Sequence, residues 1–259
     1  MELPMPKEKP SFYAGDVIQH YRSELIQRQM EAHGFDAILS LRPETVRFCT
    51  GFFAKGFKRF WESVYFTLIP LGREPVVGYR SGSDWWRIQL RSDIKDYRRL
   101  PGGLTRWAEV LIPVFSDYGL QKARVGTDIL PYEIYTALKK EFPEVEFRDA
   151  GEFWVDVTAV KHPAEIEWIR KAVEIVDIGT QAAIDSIAPG KREIDVSVEA
   201  SCAMLRAGAE MMPSLHDVAS GYNAGIWERI ATEKTIREGE LVAMDITASV
   251  RGYVGDIGR

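Results

Sequence analysis

The sequence has little of what announces a ready-made framework. It has two cysteines in 259 residues, Cys49 and Cys202. A disulfide scaffold needs more, and these two stand too far apart to form a metal-type pair. Their neighbours are apolar, RFCTGF and EASCAML, which suits buried reduced thiols. There are four histidines, and none follows His216. Positive charge is also short: 33 Lys and Arg stand against 38 Asp and Glu, a net of −5. No global basic field exists for a polyanion, so no nucleic-acid partner is expected. No run approaches about 18 apolar residues, so no membrane-spanning helix is expected. The opening MELPMPKEKPSF carries prolines and charges and no apolar stretch, unlike a secretory leader. A cytoplasmic protein fits these absences. There is no Gly-rich phosphate loop and no Gly-x-Ser-x-Gly nucleophile elbow.

What is there is ordinary for a globular chain: 46% hydrophobic and 27% charged residues. The length suits one large or two modest domains. Charge is unevenly spread. Residues 1–155 carry 22 basic and 21 acidic groups; residues 156–259 carry 11 and 17. An acidic second half suits a cation site, and equally a solvated acidic face. Residues 15–34 show helical periodicity ended by Gly34. FDAILSL, ESVYFTLIP and VVGY read as strands of a meander, and the first part continues as alternating helix and strand, with Pro113 expected to interrupt the helix over 104–119. Near residues 155–162 the character changes. HPAEIEWIRKAVEIVDIGTQAAIDSIAPG and KREIDVSVEASCAMLRAG are amphipathic helices. LHDVASGYN, ELVAMDITASV and GYVGDI then read as an antiparallel sheet.

The strongest chemical signal is the last hairpin. A two-residue loop at Arg251-Gly252 would pair Asp245 with Gly258 and Asp256 with Thr247. Asp245 and Asp256 then share one sheet face as diagonal neighbours. A register slip of one residue would part them. Two carboxylates on one face repel, and a cation relieves that cost; carboxylates are hard ligands for divalent ions. Pairing with Arg251 and Arg259, or capping of turns, remains the plainer alternative.

EGELVAMDITASVRGYVGDIGR resembles the first metal-binding hairpin of the pita-bread metallohydrolases, which include methionine aminopeptidase, Xaa-Pro aminopeptidase, prolidase and creatinase. VKHPAEIEWIRKAVEIVD and PGKREIDVSVEASCAMLRAGAE are similar to the two helices that precede that hairpin. GFDAILSLRPETVRFCTGF is similar to the opening of the creatinase-type N-terminal domain. The resemblance covers roughly residues 20–259. It implies an α/β creatinase-type N-terminal domain over 1–157 and the first part of an α+β pita-bread domain over 158–259. It implies two divalent ions, Mn, Co or Zn, with Asp245 and Asp256 as ligands. It implies hydrolysis of a C–N bond in a dipeptide or small amide, and a homodimer.

Two departures qualify these expectations. Relatives carry a His before the hairpin, where ungapped counting from Asn223 puts Glu228. An ionised carboxylate cannot donate to a developing oxyanion, so Glu228 suits either a protonated role or a cationic substrate. The family's later His and Glu ligands lie past Arg259, so this chain alone is not expected to retain the metals. Two other readings stay open: a creatinase-like amidinohydrolase or lyase, and a catalytically incomplete binding or dimerisation protein. His216 and Trp85 are further substrate-binding candidates. His216 stands near the cleft position of the relatives. Trp85 belongs to an aromatic pair in the N-terminal domain, whose residues reach a neighbouring subunit's site in creatinase-like dimers. RFCTGFFAKGFKRFW suits a cleft-lining loop or dimer contact.

Overall fold

A computed structural model describes residues 16–51, 65–212, 217–226 and 229–259. The chain divides into two compact units, Met1–Val160 and Lys161–Arg259.

The first unit is built on a six-stranded mixed sheet in the order β4-β3-β2-β1-β5-β6. Its strands are β1 (Ala37–Ser40), β2 (Phe66–Pro70), β3 (Val76–Tyr79), β4 (Asp96–Arg99), β5 (Arg124–Thr127) and β6 (Glu146–Asp149). β1, β2 and β3 form the expected antiparallel meander; the outer pairings, β3 with β4, β1 with β5 and β5 with β6, are parallel. Helices are α1 (Asp16–His33), α2 (Pro43–Thr50), α3 (Gly82–Arg91), α4 (Ala108–Asp117), α5 (Tyr132–Glu141) and α6 (Gly151–Ala159). Alternation along the strands assigns each face its own core. Leu39, Phe66, Leu68 and Val125 pack with Leu111, Phe115, Ile134 and Leu138 of α4 and α5. Ile38 and Ile69 point the other way, to Ile26 and Met30 of α1 and Phe153 and Trp154 of α6. Val77 meets Val46 of α2 and Ile88 of α3. The edge strands read DYRR and EFRD, charged sequences that discourage pairing with another chain.

α2 and α3 are not visible in simple periodicity. α2 begins on Pro43 at its first position, which is pre-set for a helix start. α3 begins with a capping box: the Ser81 hydroxyl accepts from the Asp84 amide, and the Asp84 carboxylate accepts from the Ser81 amide. Pro113 does not interrupt α4. It lies on the exposed face, and the carbonyl it leaves without an amide partner belongs to exposed Glu109, where water substitutes.

In the second unit, α7 (Pro163–Ser186) and α8 (Glu193–Arg206) cover one face of a three-stranded antiparallel sheet, β7 (Asp217–Ser220), β8 (Val242–Val250) and β9 (Tyr253–Gly258), in the order β7-β8-β9. Met244, Ile246 and Ala248 face the helices and pack with Ile175, Val176, Val196, Ala200 and Met204. Their odd-numbered neighbours on β8 therefore face away. Gly255 lets β9 approach α7: a Cβ there would lie 2.7 Å from backbone atoms of Ala172 and Val173. Cys49 and Cys202 are free thiols, and burial pushes the Cys49 thiol up. Among the described residues no helix is long and apolar enough to cross a membrane.

Candidate metal centre and its neighbouring loop

The β8–β9 hairpin turns through Arg251 and Gly252 at φ 50° and 87°. Positive φ at both central residues gives the tight turn whose twist matches its strands. The tip is held from outside. Tyr253 Oη donates to the buried carboxylate of Glu165 near the start of α7, and its ring lies 5.5 Å from that of Trp168. The Arg251 guanidinium sits 5.1 Å over Trp168, and Glu210 accepts from the Gly252 amide at 3.0 Å. Turn and tip together set the register: Asp245 opposite Gly258, Thr247 opposite Asp256. These are the pairings a two-residue loop requires, so Asp245 and Asp256 share the face opposite the helices.

Their side chains meet. A hydrogen bond with Asp245 raises the Asp256 carboxyl above the usual carboxylate range; burial and the like charge of Asp245 add to the rise. A neighbouring like charge disfavours ionisation of a carboxyl. A divalent cation would offset that like charge, so the donor chemistry fits the acidic half of a metal centre. Asp217 lies directly across from Asp245 on β7. Strand pairing alone could have revealed it. Among the described residues, no three His, Cys, Asp or Glu side chains gather as a metal-binding set.

Trp85 lies in α3 of the first unit, half-buried, with its ring edge-on to Trp86 at 5.6 Å. His216, Trp227, Glu228 and residues 52–64 lie outside the described residues.

A second buried carboxylate escaped the sequence reading. Glu193, the first residue of α8, is fully buried. Its Oε1 accepts from the Ser220 amide at 2.7 Å and the Ser220 hydroxyl at 2.9 Å. Its Oε2 accepts from the Thr232 amide at 3.2 Å and the Thr232 hydroxyl at 2.5 Å, and Asn223 Nδ2 lies 3.4 Å from both oxygens. These donors outweigh the cost of burial and hold the carboxyl below the usual range. Beside it, Lys234 Nζ donates to Ser220 Oγ at 2.7 Å and to Glu240 at 2.6 Å.

The comparisons with known proteins bear on this geometry. The family model "Creatinase/Prolidase N-terminal domain" matches residues 22–157, and "Metallopeptidase family M24" matches residues 167–259. The chain belongs to the creatinase and M24 metallopeptidase superfamily. It is 35% identical over 130 residues to an Xaa-Pro dipeptidase of Pyrococcus horikoshii, across 50% of this chain and 37% of that relative. It is 21% identical over 258 residues to a creatinase of a Bacillus species, across 95% of this chain and 60% of that one. The crystal structure of the prolidase from Pyrococcus horikoshii superposes with a TM-score of 0.74 at 25% identity, over 92% of this chain and 64% of that chain. The expected fold, a creatinase-type α/β domain with part of a pita-bread domain, is the one found. The superfamily members it matches are considerably longer than the segment it spans: about a third of the dipeptidase and under two thirds of the solved prolidase.

Proposed function

We propose that this chain serves a metal-dependent hydrolase that cleaves a C–N bond in a dipeptide, with Xaa-Pro dipeptides as the substrate class. The observation that carries the reading is the hydrogen-bonded pair Asp245 and Asp256, held in register on one sheet face inside the M24-matching segment. Asp245 and Asp256 would each give carboxylate oxygens to divalent ions of the Mn, Co or Zn class, and further protein ligands would complete the site. Such ions supply an activated water as nucleophile. The rest of this chain's contribution is positional: the Tyr253–Glu165 contact and the close β9–α7 approach fix where the two carboxylates stand. Glu228, at the position where relatives carry a His, would select a cationic group on the substrate, and His216 and Trp85 are further substrate contacts in this reading. A homodimer in the cytoplasm belongs to the same proposal.

The test uses the complete protein. Bound metal is measured by elemental analysis, and hydrolysis of Xaa-Pro dipeptides is assayed after loading with Mn, Co or Zn. The expected result is near two ions per chain and activity lost in both Asp245→Asn and Asp256→Asn. Absence of bound metal, or activity indifferent to both substitutions, would overturn the proposal.

A further inference from the structure

Glu165 does more than start its own helix. It is the third residue of α7 and is buried, 4% exposed. Its Oε2 accepts from the His162 amide at 2.7 Å and closes the capping box of that helix. A capping box needs only this bond from its acid. The other oxygen, Oε1, accepts from the Tyr253 hydroxyl on β9, 88 residues further along the chain.

Residues 165, 168 and 172 follow at spacings of three and four, which sets them in one row along α7. β9 lies on that row. Tyr253 meets its first two members, with the hydroxyl on Glu165 and the ring 5.5 Å from Trp168. Gly255 meets the third, its backbone close against that of Ala172. Tyr253 and Gly255 therefore point into the helix. Asp256 is the next residue, so its side chain turns to the opposite face, where it meets Asp245.

The ladder with β8 fixes register, and it leaves twist open. Neighbouring strands are rotated against each other by roughly 10–35°, most variably in two-stranded ribbons. The distance between diagonal side chains changes with that rotation. Met244, Ile246 and Ala248 seat β8 on the helices. Among the described residues β9 has a strand partner on the β8 side alone, so its own seat on α7 sets its angle. Close approach at Gly255 sets how near β9 comes. A hydrogen bond is directional and has a narrow range of length, so the Tyr253–Glu165 bond sets where along α7 the strand stops.

We propose that Glu165 is a positioning residue of the metal centre: through Tyr253 it sets the angle of β9 against β8, and with it the separation at which Asp245 and Asp256 offer their oxygens to divalent ions. Glu165 touches neither ion nor substrate. The proposal rests on the metal-dependent hydrolase reading for the presence of the ions.

The experiment titrates Co(II) into the complete protein after removal of metal, by calorimetry and by the visible absorption of the bound ion. Tyr253→Phe keeps the ring and the helix cap and removes only the bond to Glu165. Its dissociation constant for Co(II) should rise at least tenfold, with a changed Co(II) spectrum. Glu165→Gln leaves a neutral acceptor, which binds a donor more weakly than a carboxylate; it should give a smaller rise, at least threefold. The double variant should be no worse than Tyr253→Phe alone, because both substitutions act on one bond. Val196→Ala truncates a buried residue of α8 and is the structural control: Tm should fall and the Co(II) constant should stay within twofold. A Co(II) constant within twofold of the wild type in both Tyr253→Phe and Glu165→Gln, with Tm lowered, would make the contact structural only and overturn the proposal. An equal rise in Val196→Ala would also overturn it. If Tyr253→Phe fails to fold, Glu165→Gln decides by the same limits. A wild type that takes up no Co(II) fails the hydrolase reading itself and removes this proposal with it; a wild type that binds while the variants bind equally well fails the positioning role alone.

Discussion

Gly255 is where the packing of the second unit and the geometry of the carboxylate pair can be perturbed together. An alanine there would place its Cβ 2.7 Å from the carbonyl carbon and oxygen of Ala172 and from the amide nitrogen of Val173. Favourable contacts between such atoms lie near ~3.5–4.0 Å, so β9 and α7 must part by about 1 Å. Neither side is a flexible side-chain end, and both are backbone in regular elements. Overpacking of this kind costs about 1–3 kcal/mol, and a clash with three backbone atoms belongs in the upper part of that range. The chain has no positive φ at Gly255, so alanine recovers about 0.4–1 kcal/mol by restricting the unfolded chain. The net expectation is a loss of about 1–2.5 kcal/mol from the second unit, a fall in Tm of roughly 5–15 °C for a unit of this size. Gly258 on the same strand is the control, because nothing lies within 4 Å of its added Cβ; Gly258→Ala should stay within about 0.5 kcal/mol. Calorimetry and urea unfolding of both variants give the energies. Divalent-cation titration of the complete protein reads the second effect, weaker uptake as β9 carries Asp256 away from Asp245. Unfolding of Gly255→Ala indistinguishable from Gly258→Ala would refute the reasoning.

The same reasoning gives three further predictions. Tyr253→Phe removes the hydroxyl that donates to buried Glu165; a hydrogen bond to a charged group is worth about 1.5–3 kcal/mol, and urea unfolding should show a loss of that order. Acid should weaken the second unit through Glu193. Its folded-state carboxyl is held below the ordinary value, so its contribution is complete above about pH 4.3 and is lost as pH falls through the lower folded value. Urea midpoints taken from pH 6 to pH 3 should therefore converge for the wild type and Glu193→Gln, and parallel curves would contradict this assignment. Asp245→Asn should weaken divalent-cation binding by the complete protein by about tenfold or more, ~1.4 kcal/mol per tenfold, as read by calorimetric titration. It should leave apo stability nearly unchanged, because it also removes the like charge beside Asp256.

What could be read in advance was local. The helices α1, α7 and α8 announce themselves by apolar spacing, and the hairpin register follows from one turn, since Arg251 and Gly252 at positive φ admit only one pairing of β8 with β9. α2 and α3 carry no such spacing, and only their start signals, Pro43 and the Ser81–Asp84 box, are written in the sequence. α3 also runs through two adjacent tryptophans, an aromatic pair that gives no helical apolar period of its own. Asp217 and Glu193 are a different kind of omission. Asp217 matters only because β7 pairs with β8, and Glu193 only because two segments far along the chain fold back onto it. No periodicity records such meetings. A carboxylate at the first position of a helix reads as a favourable charge on the helix dipole, and that account would suffice for Glu193 had Asp195 not already filled the capping role. The surplus acid is the signal: two carboxylates within one helical turn, only one of them needed by the helix, leave the other free to organise chain from elsewhere. The hairpin shows the same surplus. Asp256 stands beside Asp245 on one sheet face with its carboxyl held above the usual range by that neighbour, a cost that the cation of the proposed function would relieve.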